Sequence, residues 1–140
     1  MFGNSPMKYL LVGPLVPPVH GQSLAFTRFY ESIAEKNKII INTNLEDKSK
    51  IGKFAHTFRT LALIIYKTLF YQFDTVYFTC SRSFLGSIKD IFLINLANFR
   101  NKRIINHLHG SDFYDFIHNS PNWYQKILIH SYSKVHTSIV

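Results

Sequence analysis

Two short stretches of this sequence place hydrogen-bonding residues where glycine or proline has just interrupted an apolar run. In the first, Gly13-Pro-Leu-Val-Pro-Pro-Val-His-Gly21 runs into Gln22 and Ser23. A loop of this kind opening onto a helix presents free backbone N–H groups and the positive end of the helix dipole to a phosphate or sugar hydroxyl. Gly21 lets a ligand approach the backbone closely. The stretch is neither a G-x-G-x-x-G fingerprint nor a P-loop, since its glycines are far apart and no Gly-Lys-Ser/Thr follows. A proline-stiffened connection with Gln22 or Ser23 near the helix cap explains the same residues, and spacing does not choose between the two.

In the second stretch, His107-Leu-His-Gly-Ser-Asp112, alternation along a strand puts His107 and His109 on one face, and Gly110 then ends the strand. An imidazole at that position hydrogen-bonds sugar hydroxyls and, when protonated, donates to phosphate. His107 alone reads as a hydrogen-bonded core histidine, whereas His109 with Gly110 and Asp112 reads as functional; Asp112 also suits a helix cap. A metal site is the weaker reading, because no further ligands stand at convincing spacing among seven scattered histidines. No metal is expected.

A third feature is the stretch from Lys48 to Lys67, where Lys48, Lys50, Lys53, Arg59 and Lys67 interleave with large apolar residues and no acidic residue. Such a helix can lie on an anionic membrane surface, with Lys50, Lys53 and Arg59 as the residues of a membrane or acceptor surface. It can equally be a core helix with a solvated basic face. No RNP, KH or zinc-finger pattern accompanies the charge, so nucleic acid is not an expected partner. Cys80, after an apolar run, reads as a small buried side chain. No G-x-S-x-G nucleophile is present.

The elements that must position these residues alternate. Strands are expected at Lys8–Gly13, Ile39–Thr43, Asp74–Thr79, Arg103–His109 and Val135–Val140. Helices are expected at Gln22–Lys36, at Ile51–Tyr71 with Phe54, Phe58, Leu61, Ile65 and Leu69 along its apolar side, and at Leu85–Asn98. Shorter helical segments fall at Asp112–Ile117 and Trp123–Ser133. Strand alternating with helix predicts an α/β fold, a Rossmann-like parallel sheet of about five strands with helices on both faces. Ligands of such sheets bind beyond the carboxyl ends of the strands, where both histidine-bearing stretches fall.

Composition agrees. The 140 residues suit a single domain, and 46% hydrophobic with 17% charged residues argues against disorder. The net charge of +8 favours an anionic partner, and one cysteine fits a reducing cytosol. No secretory signal precedes Met7, and the most apolar stretch, Leu61 to Phe73, is shorter than the ~20 residues a bilayer span needs.

The Pro-Pro-x-x-Gly loop between strand and helix, followed much later by strand and His-x-His-Gly-Ser-Asp-Phe, resembles the N-terminal half of GT-B glycosyltransferases. The nearest group is glycosyltransferase family 4. The resemblance covers nearly the whole chain in element order, but its motifs are confined to Pro17–Gly21 and His107–Phe113. Many family members have Gly-Gly where this chain has His20-Gly21. The resemblance implies a retaining, cofactor- and metal-independent enzyme that transfers a sugar from a UDP- or GDP-linked nucleotide sugar to a glycan or glycolipid acceptor. It implies a cytoplasmic protein, peripheral at the inner membrane face. The N-terminal domain receives the acceptor; a second domain with an E-x(7)-E pattern, absent from these 140 residues, grips the nucleotide. The chain is therefore expected to be a partial enzyme, inactive or nearly so alone. His109 would contact sugar or acceptor as the catalytic candidate, Gly21 would lie near the donor phosphates, and His20, Gln22, His107, Gly110 and Asp112 complete the expected substrate set. The alternative is a small α/β binding module that docks on an anionic membrane surface or a nucleotide.

Overall fold

The computed structural model describes residues 6–45, 49–108 and 111–140. Five strands, β1 (Tyr9–Gly13), β2 (Lys38–Asn42), β3 (Thr75–Thr79), β4 (Arg103–His107) and β5 (Thr137–Ile139), form one sheet in the order β2-β1-β3-β4-β5. Every pairing is parallel, with Leu10 beside Ile39 and Val76, and Ile105 beside Tyr77 and Thr137. Parallel strands covered on both faces need continuous apolar runs, and β1 and β3 supply them: from Leu10 to Gly13 and from Thr75 to Thr79 every residue is buried.

Helices α1 (Gly21–Ser32), α2 (Lys50–Phe70), α3 (Phe84–Phe99), α4 (Asp112–Asn119) and α5 (Asn122–Tyr132) make the connections. Strand alternation assigns them to faces. Leu11 and Tyr77 point to one side, with Ile40 and Ile105, and meet Phe26, Phe29 and Ile33 of α1. Leu10, Val12, Val76, Phe78 and Ile104 point to the other and meet Ile64 of α2, Leu93, Ile94 and Ala97 of α3, Phe113 of α4 and Tyr132 of α5. The fold is thus the α/β, Rossmann-like parallel sheet with helices on both faces, but unevenly so: α1 alone covers one side among the described residues.

Several expectations need correcting. The first helix begins at Gly21 and stops at Ser32, where Ile33 turns extended; a single 3₁₀ turn at Glu35–Asn37 follows instead of a continuation to Lys36. β4 ends at His107 rather than reaching His109, and β5 is confined to Thr137–Ile139. The largest correction concerns α2. Phe54, Phe58 and Leu69, expected on its inner side, face outward, and the buried positions are Thr60, Ile64 and Thr68.

Candidate functional site

The strand order changes direction between β1 and β3, because β1 leads through α1 to β2 on one edge while β2 returns through α2 to β3. Parallel sheets open a crevice at that switch point. Here a cleft of about 750 Å³ lies there, bounded by Pro14, Thr43 and Thr79 from the strand ends and by the first turns of α1 and α3. Its volume is of the class that encloses a small-molecule ligand.

The loop after β1 forms one wall and is clamped from two directions. The Leu15 N–H donates to Asn42 Oδ1 at 3.3 Å, and Asn44 Nδ2 donates to the Leu15 and Pro17 carbonyls. Ser23 Oγ donates to the Pro18 carbonyl at 2.7 Å. His20, rather than Gln22 or Ser23, is the helix cap: its Nδ1 accepts from the Ser23 N–H at 3.2 Å, while Ser23 Oγ accepts from the His20 N–H at 3.0 Å. This reciprocal box satisfies two donors at the helix start. With Nδ1 accepting, a neutral His20 ring carries its proton on Nε2, which leaves an N–H donor on a residue that lines the cleft. Gln22 also lines the cleft, but its Nε2 reaches the Cys80 carbonyl at 3.3 Å and ties α1 to the loop after β3. Gly21, between them, opens the helix.

The opposite wall is α2. Lys53, His56, Thr57 and Thr60 recur at helical spacing and all line the cleft. His56 Nε2 donates to the Thr43 carbonyl at 3.1 Å, which fixes the ring across the gap between β2 and α2. Sequence reasoning singled out Lys53 of this stripe but passed over His56, Thr57 and Thr60 by following the apolar residues of the same helix.

The floor is the loop from Cys80 to Ser83. It rests on Asp90, a buried carboxylate whose Oδ2 accepts from the Ser81 N–H at 2.8 Å and the Tyr132 hydroxyl at 3.1 Å. Its Oδ1 pairs with Lys89 Nζ at 2.9 Å, and Lys89 donates onward to Ser81 Oγ at 2.7 Å. Behind them Asn106 Nδ2 donates to Cys80 Sγ, which donates to Tyr132, so that one directed chain of bonds ends on the carboxylate. Burial, and then the nearby Asp90 charge, pushes the Cys80 thiol up to about 12. The expected buried role of Cys80 holds.

Electrostatically the cleft favours anions. Lys53, Arg82 and Lys89 line it, and among the described residues no acidic residue does. Lys89 is neutralised by Asp90, and Arg82 pairs with Asp112 at 2.7 Å near the surface. Lys53 has no ion pair among the described residues. The N-terminal turns of α1 and α3 add the positive ends of two helix dipoles.

Of the second histidine stretch, neither His107 nor Asp112 lines this cleft. The Tyr77 hydroxyl meets His107 Nδ1 at 2.7 Å on the α1 side of the sheet, as a core histidine would. Asp112 begins α4 and borders a second groove that shares Arg82 and Phe84 with the cleft. His109 and Gly110 lie outside the described residues. Lys50 and Arg59 are exposed on α2, outside the cleft. No protein-family model matches the chain, and no curated protein or solved structure does either.

Proposed function

We propose that this chain is the N-terminal, acceptor-side domain of a retaining glycosyltransferase that moves a sugar from a UDP- or GDP-linked nucleotide sugar to a glycan or glycolipid. The observation that carries this reading is the cleft between β1 and β3, in which the proline loop with His20 faces a polar, cationic stripe on α2. Its lining suits a hydroxyl-rich ligand next to an anionic group. Thr43, Asn44, Thr57 and Ser81 offer neutral hydrogen-bonding groups, His20 Nε2–H is a donor, and Lys53, which has no ion pair among the described residues, supplies a charge for a phosphate. The chain's own residues bind and orient the acceptor; the donor must be held by a second domain. Since transfer depends on positioning both reactants, this chain alone has little or no activity.

The test is binding. Ligand-observed NMR or calorimetry with glycan and glycolipid headgroup phosphates should show saturable binding, weakened roughly tenfold by Lys53→Ala, which removes a charge-assisted hydrogen bond. His20→Ala should also weaken binding and loosen the start of α1. Tight binding of UDP or GDP with no contribution from a sugar would overturn the reading in favour of a mononucleotide domain. Efficient sugar transfer by these 140 residues alone would remove the need for a donor domain.

A further inference from the structure

Beneath the cleft floor a buried carboxylate holds two neighbouring side chains in a fixed arrangement. Asp90, 1% exposed, divides its oxygens: Oδ2 accepts from the Ser81 N–H and the Tyr132 hydroxyl, and Oδ1 accepts from Lys89 Nζ at 2.9 Å. Burying an ionised carboxylate is costly unless it is paired and hydrogen-bonded, and here it is both. Lys89, the ammonium paired to it, has three N–H donors and no acceptor. One donor goes to Asp90 and one to Ser81 Oγ at 2.7 Å, so Ser81 Oγ accepts in that bond and its own proton points elsewhere. Among the described residues nothing accepts the Ser81 hydroxyl proton or the third Lys89 N–H. Both residues line the cleft. A glycine makes room for them. A methyl group at Gly86, in the first turn of α3, would stand 2.6 Å from Ser81 Cβ and 2.8 Å from Ser81 Oγ. Alanine is the better helix former, so glycine at this position serves Ser81 and not the helix.

We propose that the Ser81 hydroxyl and the third Lys89 N–H form an oxyanion subsite at the cleft floor, which selects ligands bearing a phosphate or carboxylate group. Two donors on atoms 2.7 Å apart suit two oxygens of one such group, and bonds between charged partners are the stronger kind. A ligand hydroxyl, which brings a proton of its own to donate, meets two donors here and fits less well. Asp90 is the positioning residue: it fixes Lys89 through one oxygen and the Ser81 backbone through the other. Because Asp90 also neutralises Lys89, the subsite acts through aimed donors and not through net charge. That separates it from the general attraction of a +8 chain for anions, and from Lys53, which enters the cleft from the α2 wall. The inference rests on the reading of the cleft as a ligand site, but not on sugar transfer.

The test compares inorganic phosphate, glucuronate and glucose by ligand-observed NMR at constant ionic strength. At least one of the two anions should bind saturably, and the tighter one identifies the oxyanion as phosphate or carboxylate. Ser81→Ala should weaken that anion roughly tenfold without changing any glucose signal. Asp90→Asn separates aim from charge. It removes a negative charge from beneath the cleft, so attraction by charge alone would tighten the anion, whereas lost positioning should weaken it about tenfold. Gly86→Ala, checked for native circular dichroism, should weaken it by a similar factor, and it carries the test if Asp90→Asn fails to fold. No saturable binding of either anion, binding unchanged in Ser81→Ala and Gly86→Ala, or tighter binding in Asp90→Asn would overturn the proposal. Anion binding that depends on Ser81, with no glucose binding at all, would support the subsite while counting against the glycan reading.

Discussion

Burial holds two acidic protons along β3. Loss of hydration raises the Tyr77 phenol from 10.0 to about 12, and burial together with the Asp90 charge raises the Cys80 thiol from 9.0 to about 12. Each group binds its proton more tightly folded than unfolded. The stability tied to it is therefore complete below pH 9, and is lost as pH rises towards 12. Thermal melts across this range should show a midpoint that is flat with respect to these two groups below pH 9 and falls steeply above pH 10. Since the thiolate is the reactive form, Cys80 should resist a maleimide at neutral pH until the chain is denatured. Rapid stoichiometric labelling of the native protein would contradict both the burial and the raised pKa.

At the scale of elements, α1 approaches the sheet closely where Phe26 lies over Gly13. A methyl group at Gly13 would come within 2.5 to 2.9 Å of three ring atoms of Phe26, which is fully buried. Gly13→Ala should therefore cost about 2 kcal/mol in urea denaturation. A smaller side chain at Phe26 in that background should recover part of the loss; if it recovers none, the clash is not the cause. The strand cores were legible because a parallel sheet demands apolar runs, and element ends were legible to within a few residues. The facing of α2 was not. A stripe of Phe54, Phe58 and Leu69 reads as a core face only if every apolar stripe is assumed to meet protein, and here Thr60, Ile64 and Thr68 take the inner positions. The same assumption hid His56 and Thr57, which line the cleft beside the already singled-out Lys53. His20 was legible as a loop residue, but its capping bond to Ser23 depends on the loop's path, which composition does not encode.

Across the whole molecule, protection is uneven. β1 and β3 lie at the centre with almost every residue buried, whereas all three residues of β5 are exposed on an edge of the sheet that α1 does not cover. β5 is joined by few bonds, among them Leu108 N–H to the Ile139 carbonyl at 2.8 Å and His136 N–H to the Ile104 carbonyl at 2.9 Å. Native-state hydrogen exchange should find the β1 and β3 amides opening only with global unfolding. Those at the β4–β5 junction should exchange at least a hundredfold faster through local opening. Uniform protection across the sheet would refute this gradient. The cleft and the outward aromatic stripe occupy different sides of one rod, α2, about 30 Å long. Its side-chain tips stand roughly 6 Å from the axis, so a roll of about 10° displaces Lys53 and His56 by about 1 Å. A shift of that size is large for a positioned ligand. Any contact on the outer stripe that rolled α2 would therefore also shift Lys53 and His56 on the inner side, like a cam turning on its shaft.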